Sequence, residues 1–312
     1  MNRAAVAVPG RTAGPLDALW RFSRPHTVIG TTVSIVCLYL IAVDSLPGLG
    51  IGDGLWDLFW TLVAGLAVNV FIVGINQISD VEIDRVNKPF LPIAAGDLTR
   101  EKAWWIVGAS AALPVLLALT QGPYELAAVT AALAIGAAYS LPPLRLKRHP
   151  VIASLCVSGV RSAIVNLGVA AHFSAALGSG PEIPPAVWAL TAFVLPFSIA
   201  IAILKDVPDA EGDRRYAIPT FTVRHGGRTV LRAGLAVLTV AYLGMAALGP
   251  LLVAGADPVV LSGGHLAALA LLWLAARGVD PSDRVQFTGF YFRVWQLFFL
   301  EYAIVPLACL SA

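Results

Sequence analysis

Apolar stretches long enough to cross a membrane recur along the whole of this 312-residue sequence. Hydrophobic residues make up 58% of the chain and charged residues only 13%, about half the charged share of an ordinary soluble domain. Lipid offers no hydrogen-bond partners to backbone groups, so a crossing segment must be a helix or part of a closed barrel. These stretches are too long for barrel strands. The sequence therefore predicts an all-α polytopic membrane protein.

Nine segments are apolar enough, and of about the right length, to be membrane-spanning helices. They are expected to form a single domain over residues 20–312, preceded by a disordered tail over residues 1–19. The nine predicted spans are residues 26–43, 57–79, 103–120, 124–141, 151–174, 185–205, 229–254, 262–277 and 287–308.

The distribution of the basic residues supports this order of spans. With nine spans, the N-terminal tail shares one side of the membrane with the loops after spans 2, 4, 6 and 8. Every Lys and Arg except Arg161 falls there or on the adjoining helix ends. The positive-inside rule then predicts that the N-terminus and these loops are cytoplasmic. The opposite side carries acidic residues instead: Asp44, Asp53, Asp57, Glu125, Glu182 and Asp257.

Overall charge and cysteine content exclude two classes of partner. A net charge of +2 gives no reason to expect a nucleic-acid partner. The three cysteines lie apart in separate apolar stretches and match no metal-binding or disulfide spacing, so they are expected to be packing residues.

Two acidic motifs follow spans 2 and 6, on the predicted cytoplasmic side. The first, NQISDVEIDRVNKP, carries Asn76, Asp80 and Asp84 at a spacing of four. The second, LKDVPDAEGDRR, repeats that spacing in Asp209 and Asp213. Residues four apart lie on one face of an α-helix, so each motif is expected to present its polar groups together. Their equivalent positions suggest two halves that face each other across a central cavity, capped by the loops after spans 2 and 6.

Four facing carboxylates repel one another unless a cation neutralises them. Carboxylate and amide oxygens, without His or thiolate, suit Mg²⁺, which typically bridges a few carboxylates to substrate phosphates. Nearby basic residues would hold the remaining phosphate oxygens; they are Arg85, Lys88, Arg145, Lys147, Lys205 and Arg224. A solvated, self-paired rim of charges is the alternative, and two matching motifs disfavour it.

The motifs together resemble the UbiA-type intramembrane prenyltransferases. The resemblance rests on NxxxDxxxD after span 2, DxxxD after span 6, YSLPPLRLK at the end of span 4 and the predicted nine spans. The segments FSRPHTVIGT, RSAIVNLGVAAHF, KDVPDAEGDRRYAIPTF and FYFRVWQLFFLEY are similar to those of the homogentisate prenyltransferases, which make tocopherol and plastoquinone precursors. The similarity extends from residue 20 to residue 302.

This resemblance implies a Mg²⁺-dependent transfer of a prenyl group from a prenyl diphosphate to a phenolic acid. Asp80, Asp84, Asp209 and Asp213 would hold the metal, with Asn76 assisting. Tyr139 would offer its ring face to the allylic cation. Arg24, at the foot of span 1, or Arg161 in span 5 would bind the acidic group of the acceptor.

Two positions depart from the homogentisate pattern. Residues 217–221 read AIPTF where that family has GIRSF, and Gln296 stands in place of a Lys before the LFF run. The lost Arg and Lys leave 4-hydroxybenzoate or another phenol open as the acceptor. A plastid transit peptide is not recognisable at the N-terminus, which favours a bacterial cell membrane.

Two functional classes other than a prenyltransferase are alternatives for this sequence. A transporter would place ionisable groups near the middle of the membrane, whereas here only Arg161 lies well inside a span. A membrane terpene cyclase or prenyl diphosphatase would use the same acids without an acceptor pocket. A cationic residue in the cavity wall, opposite the acids, would separate a transferase from that class.

Overall fold

The computed structural model describes residues 14–178 and 180–311, which are mostly helical and contain no β-strand. The first seven helices are α1 (Pro15–Phe22), α2 (Pro25–Asp44), α3 (Leu55–Ser79), α4 (Val81–Asn87), α5 (Pro92–Ala95), α6 (Arg100–Gln121) and α7 (Pro123–Ser140). A short 3₁₀ turn (Leu146–Arg148) leads into α8 (Pro150–Gly159), a π-helical segment (Val160–Gly168) and α9 (Val169–Ala176). The remaining helices are α10 (Pro185–Leu204), α11 (Ala210–Arg215), α12 (Phe221–His225), α13 (Gly227–Leu252), α14 (Pro258–Ala276) and α15 (Arg284–Leu310).

Within this part of the chain, eight helical segments are long and apolar enough to cross a membrane. They correspond to eight of the nine predicted spans, with residues 150–176 forming one continuous segment. The ninth, α7, has 18 residues and is not among them. It begins with Pro-Tyr-Glu and ends with Tyr-Ser, which lowers its hydropathy. The helical membrane fold is confirmed, while the count of nine stays a prediction.

Many of the long helices begin where the sequence offers a favourable first turn. Pro is present at the N-terminal turn of α2, α7, α8, α10 and α14, where its missing N–H costs nothing. Asp257 and Asp283 accept hydrogen bonds from backbone N–H groups at the starts of α14 and α15, which is the usual role of an N-cap carboxylate.

The N-terminal tail is shorter than expected. Residues 1–13 lie outside the described part of the chain, whereas Pro15–Phe22 forms α1, so residues 15–19 of the predicted disordered tail are helical. Arg21 holds this helix through ion pairs with Asp17 and Asp97 and a hydrogen bond to the carbonyl of Phe90. These contacts dock α1 on the loop between α4 and α6.

One side of the bundle is densely packed. Phe193, Phe197, Tyr242 and Phe298 form edge-on and tilted ring pairs between α10, α13 and α15. A fully buried pair crosses this region as well: Nε2 of His265 on α14 lies 3.0 Å from Oε1 of Glu301 on α15. The other side of the bundle, around α2, α3, α7 and residues 150–169, encloses the cavity.

Candidate active site

A large cavity lies between the helices, as the two facing acidic motifs predicted. Its volume is about 1780 Å³, and its walls come from α2, α3, α7, the segment from Pro150 to Val169, and α15. The two acidic segments line one end of it. The cavity therefore offers a charged end and a long apolar interior to the same bound molecule.

The first acidic segment is not a single helix. Helix α3 ends at Ser79, Asp80 leaves helical geometry (φ −116°, ψ 16°), and α4 begins at Val81. The predicted alignment of Asn76, Asp80 and Asp84 on one continuous helix face is therefore wrong. The carbonyl of Asp80 accepts a hydrogen bond from the N–H of Asp84, because Asp80 is the residue that starts α4. All three side chains nevertheless line the cavity.

The second acidic segment is also interrupted, here around Pro208, because Pro cannot continue a regular helix. Helix α10 ends at Leu204, a run of turns follows, and α11 begins at Ala210. Asp209 and Asp213 line the cavity, with Asp206 beside them. Both acidic segments are thus short helices joined by a non-helical residue or turn to the end of a long apolar helix.

A hydrogen-bonded asparagine joins the two acidic segments. Asn87, which is buried, donates from Nδ2 to Oδ1 of Asp213 (3.2 Å), and its Oδ1 accepts from the backbone N–H of Gly212 (3.0 Å). Arg284, at the start of α15, donates to the backbone carbonyl of Asn87. Sequence reasoning missed both Asn87 and Arg284.

Most of the predicted basic residues contact the acidic segments. Lys88 forms an ion pair with Asp209, and Lys205 with Asp206. Lys147 and Arg145 both contact Oδ1 of Asp80, at 2.7 and 3.3 Å. The residues YSLPPLRLK after α7 thus bring two cations to the first motif.

Two predicted basic residues lie elsewhere. Arg85 pairs with the exposed Glu82 three residues away on the outer face of α4, and Arg224 on α12 is exposed; neither lines the cavity. The pairing of Arg85 with Glu82 follows from helical spacing, since residues three apart are neighbours on a helix surface.

The acidic segments retain uncompensated oxygens. Asp84 and Asp213 are 6% and 5% exposed, and Oδ2 of each has no hydrogen-bond partner in the structure. Burial raises the pKa of Asp84 to about 6 and that of Asp213 to about 7, because removing water disfavours the ionised form. A nearby cation would reverse this effect.

These carboxylates and Asn76 fit a hard divalent cation by their chemistry. Within residues 14–178 and 180–311, however, no three His, Cys, Asp or Glu side chains converge closely enough to hold an ion. The ammonium groups of Lys88 and Lys147 instead form ion pairs with Asp209 and Asp80. The predicted metal site therefore stays a prediction that two unpartnered oxygens support.

Two more cationic side chains, Arg161 and Arg24, line the cavity. The guanidinium carbon of Arg161 lies 4.5 Å from the ring centre of Trp295 and 5.2 Å from that of Phe298, within range of a cation–π attraction. Nη1 of Arg161 and Nε of Arg24 are buried without hydrogen-bond partners. Arg24 precedes α2 in a left-handed conformation (φ 54°). Both predicted acceptor-binding cations thus line the cavity and keep N–H groups unused.

The π-helical segment places two polar side chains against α15. Arg161 stacks on Trp295 and Phe298, while Oδ1 of Asn166 accepts a hydrogen bond from the hydroxyl of Tyr302 (2.9 Å). Arg161 and Asn166 are five residues apart, which is the repeat of a π-helix. Trp295 and Tyr302 were missed by sequence reasoning, because an aromatic stripe in an apolar helix resembles ordinary packing.

Tyr139 and the two departures from the homogentisate pattern also line the cavity. Tyr139 lies at the end of α7 nearest the acids. Ile218, Pro219 and Gln296 border the same space, and Ala217 adopts φ 53°. The substituted positions are therefore placed to contact a substrate.

Comparisons with known proteins identify relatives of this chain. The family model described as the UbiA prenyltransferase family matches residues 29–298. The homogentisate phytyltransferase of Synechocystis sp. is 43% identical over 94% of this chain and 96% of its own. The homogentisate solanesyltransferase of Arabidopsis thaliana is 36% identical over 93% and 76%. A UbiA homologue from Archaeoglobus fulgidus, solved with GPP and Mg²⁺, is 18% identical with a TM-score of 0.59, and the match covers 92% of this chain and 99% of that one.

Proposed function

The chain belongs to the UbiA prenyltransferase family, and we propose that it transfers a prenyl group from a prenyl diphosphate to a ring carbon of homogentisate. The protein is a membrane-embedded aromatic prenyltransferase. The cavity is the observation that supports homogentisate prenylation, because it has paired acids and lysines at one end and an arginine over a tryptophan ring in its wall. The two relatives named above are a homogentisate phytyltransferase and a homogentisate solanesyltransferase, so their names share an acceptor and differ in the prenyl donor.

The charged end of the cavity would bind the diphosphate. Asp80, Asp84, Asp209 and Asp213, with Asn76, would hold Mg²⁺, which supplies positive charge to the leaving diphosphate. Lys88, Lys147 and Arg145 already lie at these acids. Their N–H groups would donate to phosphate oxygens as negative charge develops on them, which lowers the barrier to ionisation.

The apolar interior would protect the allylic cation that ionisation leaves. Water would convert such a cation to an alcohol, so the reacting carbon needs surroundings that exclude it. Tyr139 borders the cavity near the acids, where its ring face attracts a cation by ~0.5–2 kcal/mol. The new bond would then form between the cationic carbon and a carbon of the electron-rich phenol ring, and that ring carbon would lose its proton to restore aromaticity.

The acceptor's acidic side group would bind Arg161. Its Nη1 is buried and unpartnered, and its guanidinium carbon lies over the rings of Trp295 and Phe298. A planar guanidinium binds a carboxylate through two parallel hydrogen bonds. Arg24 has a similarly unused N–H group and would assist from the start of α2. This wall cation is also the feature that favours a transferase over a terpene cyclase or diphosphatase.

The segregation of charge supports an orientation. Every basic residue except Arg161 lies at the acid end of the bundle or in the tail before it, so we place that end in the cytoplasm by the positive-inside rule, in a bacterial cell membrane.

The test is a transfer assay with membranes that contain the protein. Mg²⁺ and geranylgeranyl or phytyl diphosphate are incubated with homogentisate or with 4-hydroxybenzoate in separate reactions, and products are identified by mass. A product from homogentisate, with loss of its carboxyl group as carbon dioxide, is the expected result. A product only from 4-hydroxybenzoate would overturn the choice of acceptor. Release of diphosphate without any prenylated aromatic would overturn the transferase proposal.

A further inference from the structure

Helix α7 lines the cavity from one end to the other. Residues spaced by three or four border the cavity along a single face of the helix: Glu125, Val129, Ala132, Gly136 and Tyr139. Tyr139 marks the end next to the acids, because Arg145 and Lys147 follow it directly and contact Asp80. Glu125, in the first turn of α7, therefore marks the opposite end. At 1.5 Å per residue the two are separated by about 21 Å along the axis.

The end of the cavity next to Glu125 is polar and buried. Glu125 is 2% exposed, and Thr61 of α3 is 1% exposed. Both border the cavity. Oε2 of Glu125 and Oγ1 of Thr61 have no hydrogen-bond partner, and Glu125 forms no ion pair with any of the described residues.

A lone carboxyl group at this depth requires an explanation. Burying an unpartnered polar group is unfavourable, and ionisable residues inside membrane proteins usually mark functional paths or pockets. Packing alone would be served by an apolar side chain of the same size. The donor and acceptor sites described above do not use Glu125.

Between the two ends the wall is apolar and suited to a hydrocarbon chain. The side chains that border it include Val68, Ile72, Val129, Ala132, Ile135 and Ile164. A fully extended peptide residue has three chain bonds and spans about 3.3–3.6 Å. A prenyl unit has four chain bonds, and on the same scale it spans about 4.5–5 Å. The distance from Tyr139 to Glu125 thus holds about four prenyl units.

We propose that Glu125, with Thr61, closes the part of the cavity that holds the prenyl tail, between Tyr139 and Glu125. These two residues limit the prenyl donor to about four units, the length of a geranylgeranyl or phytyl group. This inference rests on the proposed function, and it adds a length limit that the two relatives do not supply, since one is named for a phytyl donor and the other for a solanesyl donor. A longer tail would press its terminal methyl groups against the carboxyl and hydroxyl groups and remove them from any remaining water, which costs free energy. A shorter tail leaves apolar wall uncovered and binds less tightly.

The experiment compares donors of increasing length with the same acceptor. Geranyl, farnesyl, geranylgeranyl and geranylfarnesyl diphosphate are supplied with homogentisate, and kcat/KM is measured for each. The wild-type protein is expected to prefer geranylgeranyl diphosphate. Glu125→Ala is expected to raise the ratio for geranylfarnesyl over geranylgeranyl diphosphate by roughly tenfold or more, since each buried methylene is worth a few-fold. Glu125→Gln, which keeps size and polarity, should retain the wild-type profile.

Two further variants complete the test. Glu182→Ala removes an exposed acid outside the cavity and should change no ratio. Thr61→Leu adds volume at the same end and should shift the preference toward farnesyl diphosphate, which tests the proposal even if Glu125→Ala does not fold. An unchanged length profile in an active Glu125→Ala or Thr61→Leu enzyme would overturn the length limit, as would a wild-type enzyme that uses geranylfarnesyl diphosphate equally well. Absence of transfer from every donor would instead count against the proposed function.

Discussion

Asn87 and Asp213 are hydrogen-bonded side chain to side chain at 3.2 Å although 126 residues separate them in the chain. The same Asn87 accepts from the backbone N–H of Gly212, so one amide links α4 to α11. The relative placement of the two acidic segments therefore depends on a neutral residue that carries no catalytic chemistry of its own.

Asn87→Ala is expected to lower kcat/KM for the prenyl diphosphate by about ten- to hundredfold. The variant loses a hydrogen bond to a charged group, worth about 1.5–3 kcal/mol, and with it the spacing of the acids. Gly212→Ala should act in the same direction, because a Cβ there would collide with the Asn87 side chain. Steady-state kinetics of both variants, with thermal unfolding in detergent as a folding control, provide the measurement. Full activity in Gly212→Ala would show that the link is dispensable.

Removal of divalent cations is expected to abolish transfer, and added Mg²⁺ to restore it. Asp80→Asn and Asp209→Asn should each reduce the rate by at least about a thousandfold, since charge stabilisation of the leaving group is usually the largest catalytic contribution. Glu211→Gln is the matched control: it neutralises an exposed acid in the same segment as Asp209 and Asp213. Transfer that persists in excess chelator would contradict the metal assignment.

Arg161→Met is expected to raise KM for homogentisate by about ten- to hundredfold, because a charge-assisted hydrogen bond contributes about 1.5–3 kcal/mol. The KM for the diphosphate should stay the same, since Arg161 packs on Trp295 and Phe298 rather than on the acids. Arg161→Lys should recover only part of the loss, because an ammonium cannot form the paired hydrogen bonds of a guanidinium. Arg85→Met, on the outer face of α4, is the control. A change in the diphosphate KM alone would remove Arg161 from the acceptor site.

Ala217→Gly is expected to stabilise the protein by about 0.5–1 kcal/mol. Ala217 adopts φ 53°, which costs an L-residue roughly 1–2 kcal/mol, and the greater freedom of glycine in the unfolded chain returns about 0.4–1 kcal/mol of that. Thermal unfolding in detergent gives the comparison. Ala134→Gly, at an exposed position inside α7, should lower stability by about 1 kcal/mol. A lower unfolding temperature for Ala217→Gly would show that the methyl group is needed where it lies.

The sequence was most informative where charge interrupts an apolar pattern. The acidic motifs, the cations of YSLPPLRLK and Arg161 each differ sharply from their neighbours, and the structure places all of them on the cavity. These residues can be recognised in the sequence because a charged side chain beside a membrane span needs a partner.

Other features left no comparable signal. The helix break at Asp80 has no Pro or Gly that would predict it. It arises because Asp80 starts a new helix. Asn87 and Arg284 meet across 197 residues, a contact that no local pattern encodes. Trp295 resembles any aromatic residue in an apolar helix until Arg161 is found stacked on it.

The π-helical segment makes backbone geometry itself a determinant of the proposed acceptor pocket. Its wider turn allows Arg161 and Asn166 to face α15 together. In an ordinary α-helix, two residues five apart point about 140° away from each other. The same side chains on a regular helix would therefore not meet α15 together, so this wall of the cavity depends on the backbone hydrogen bonding of residues 160–168 as well as on the residues present.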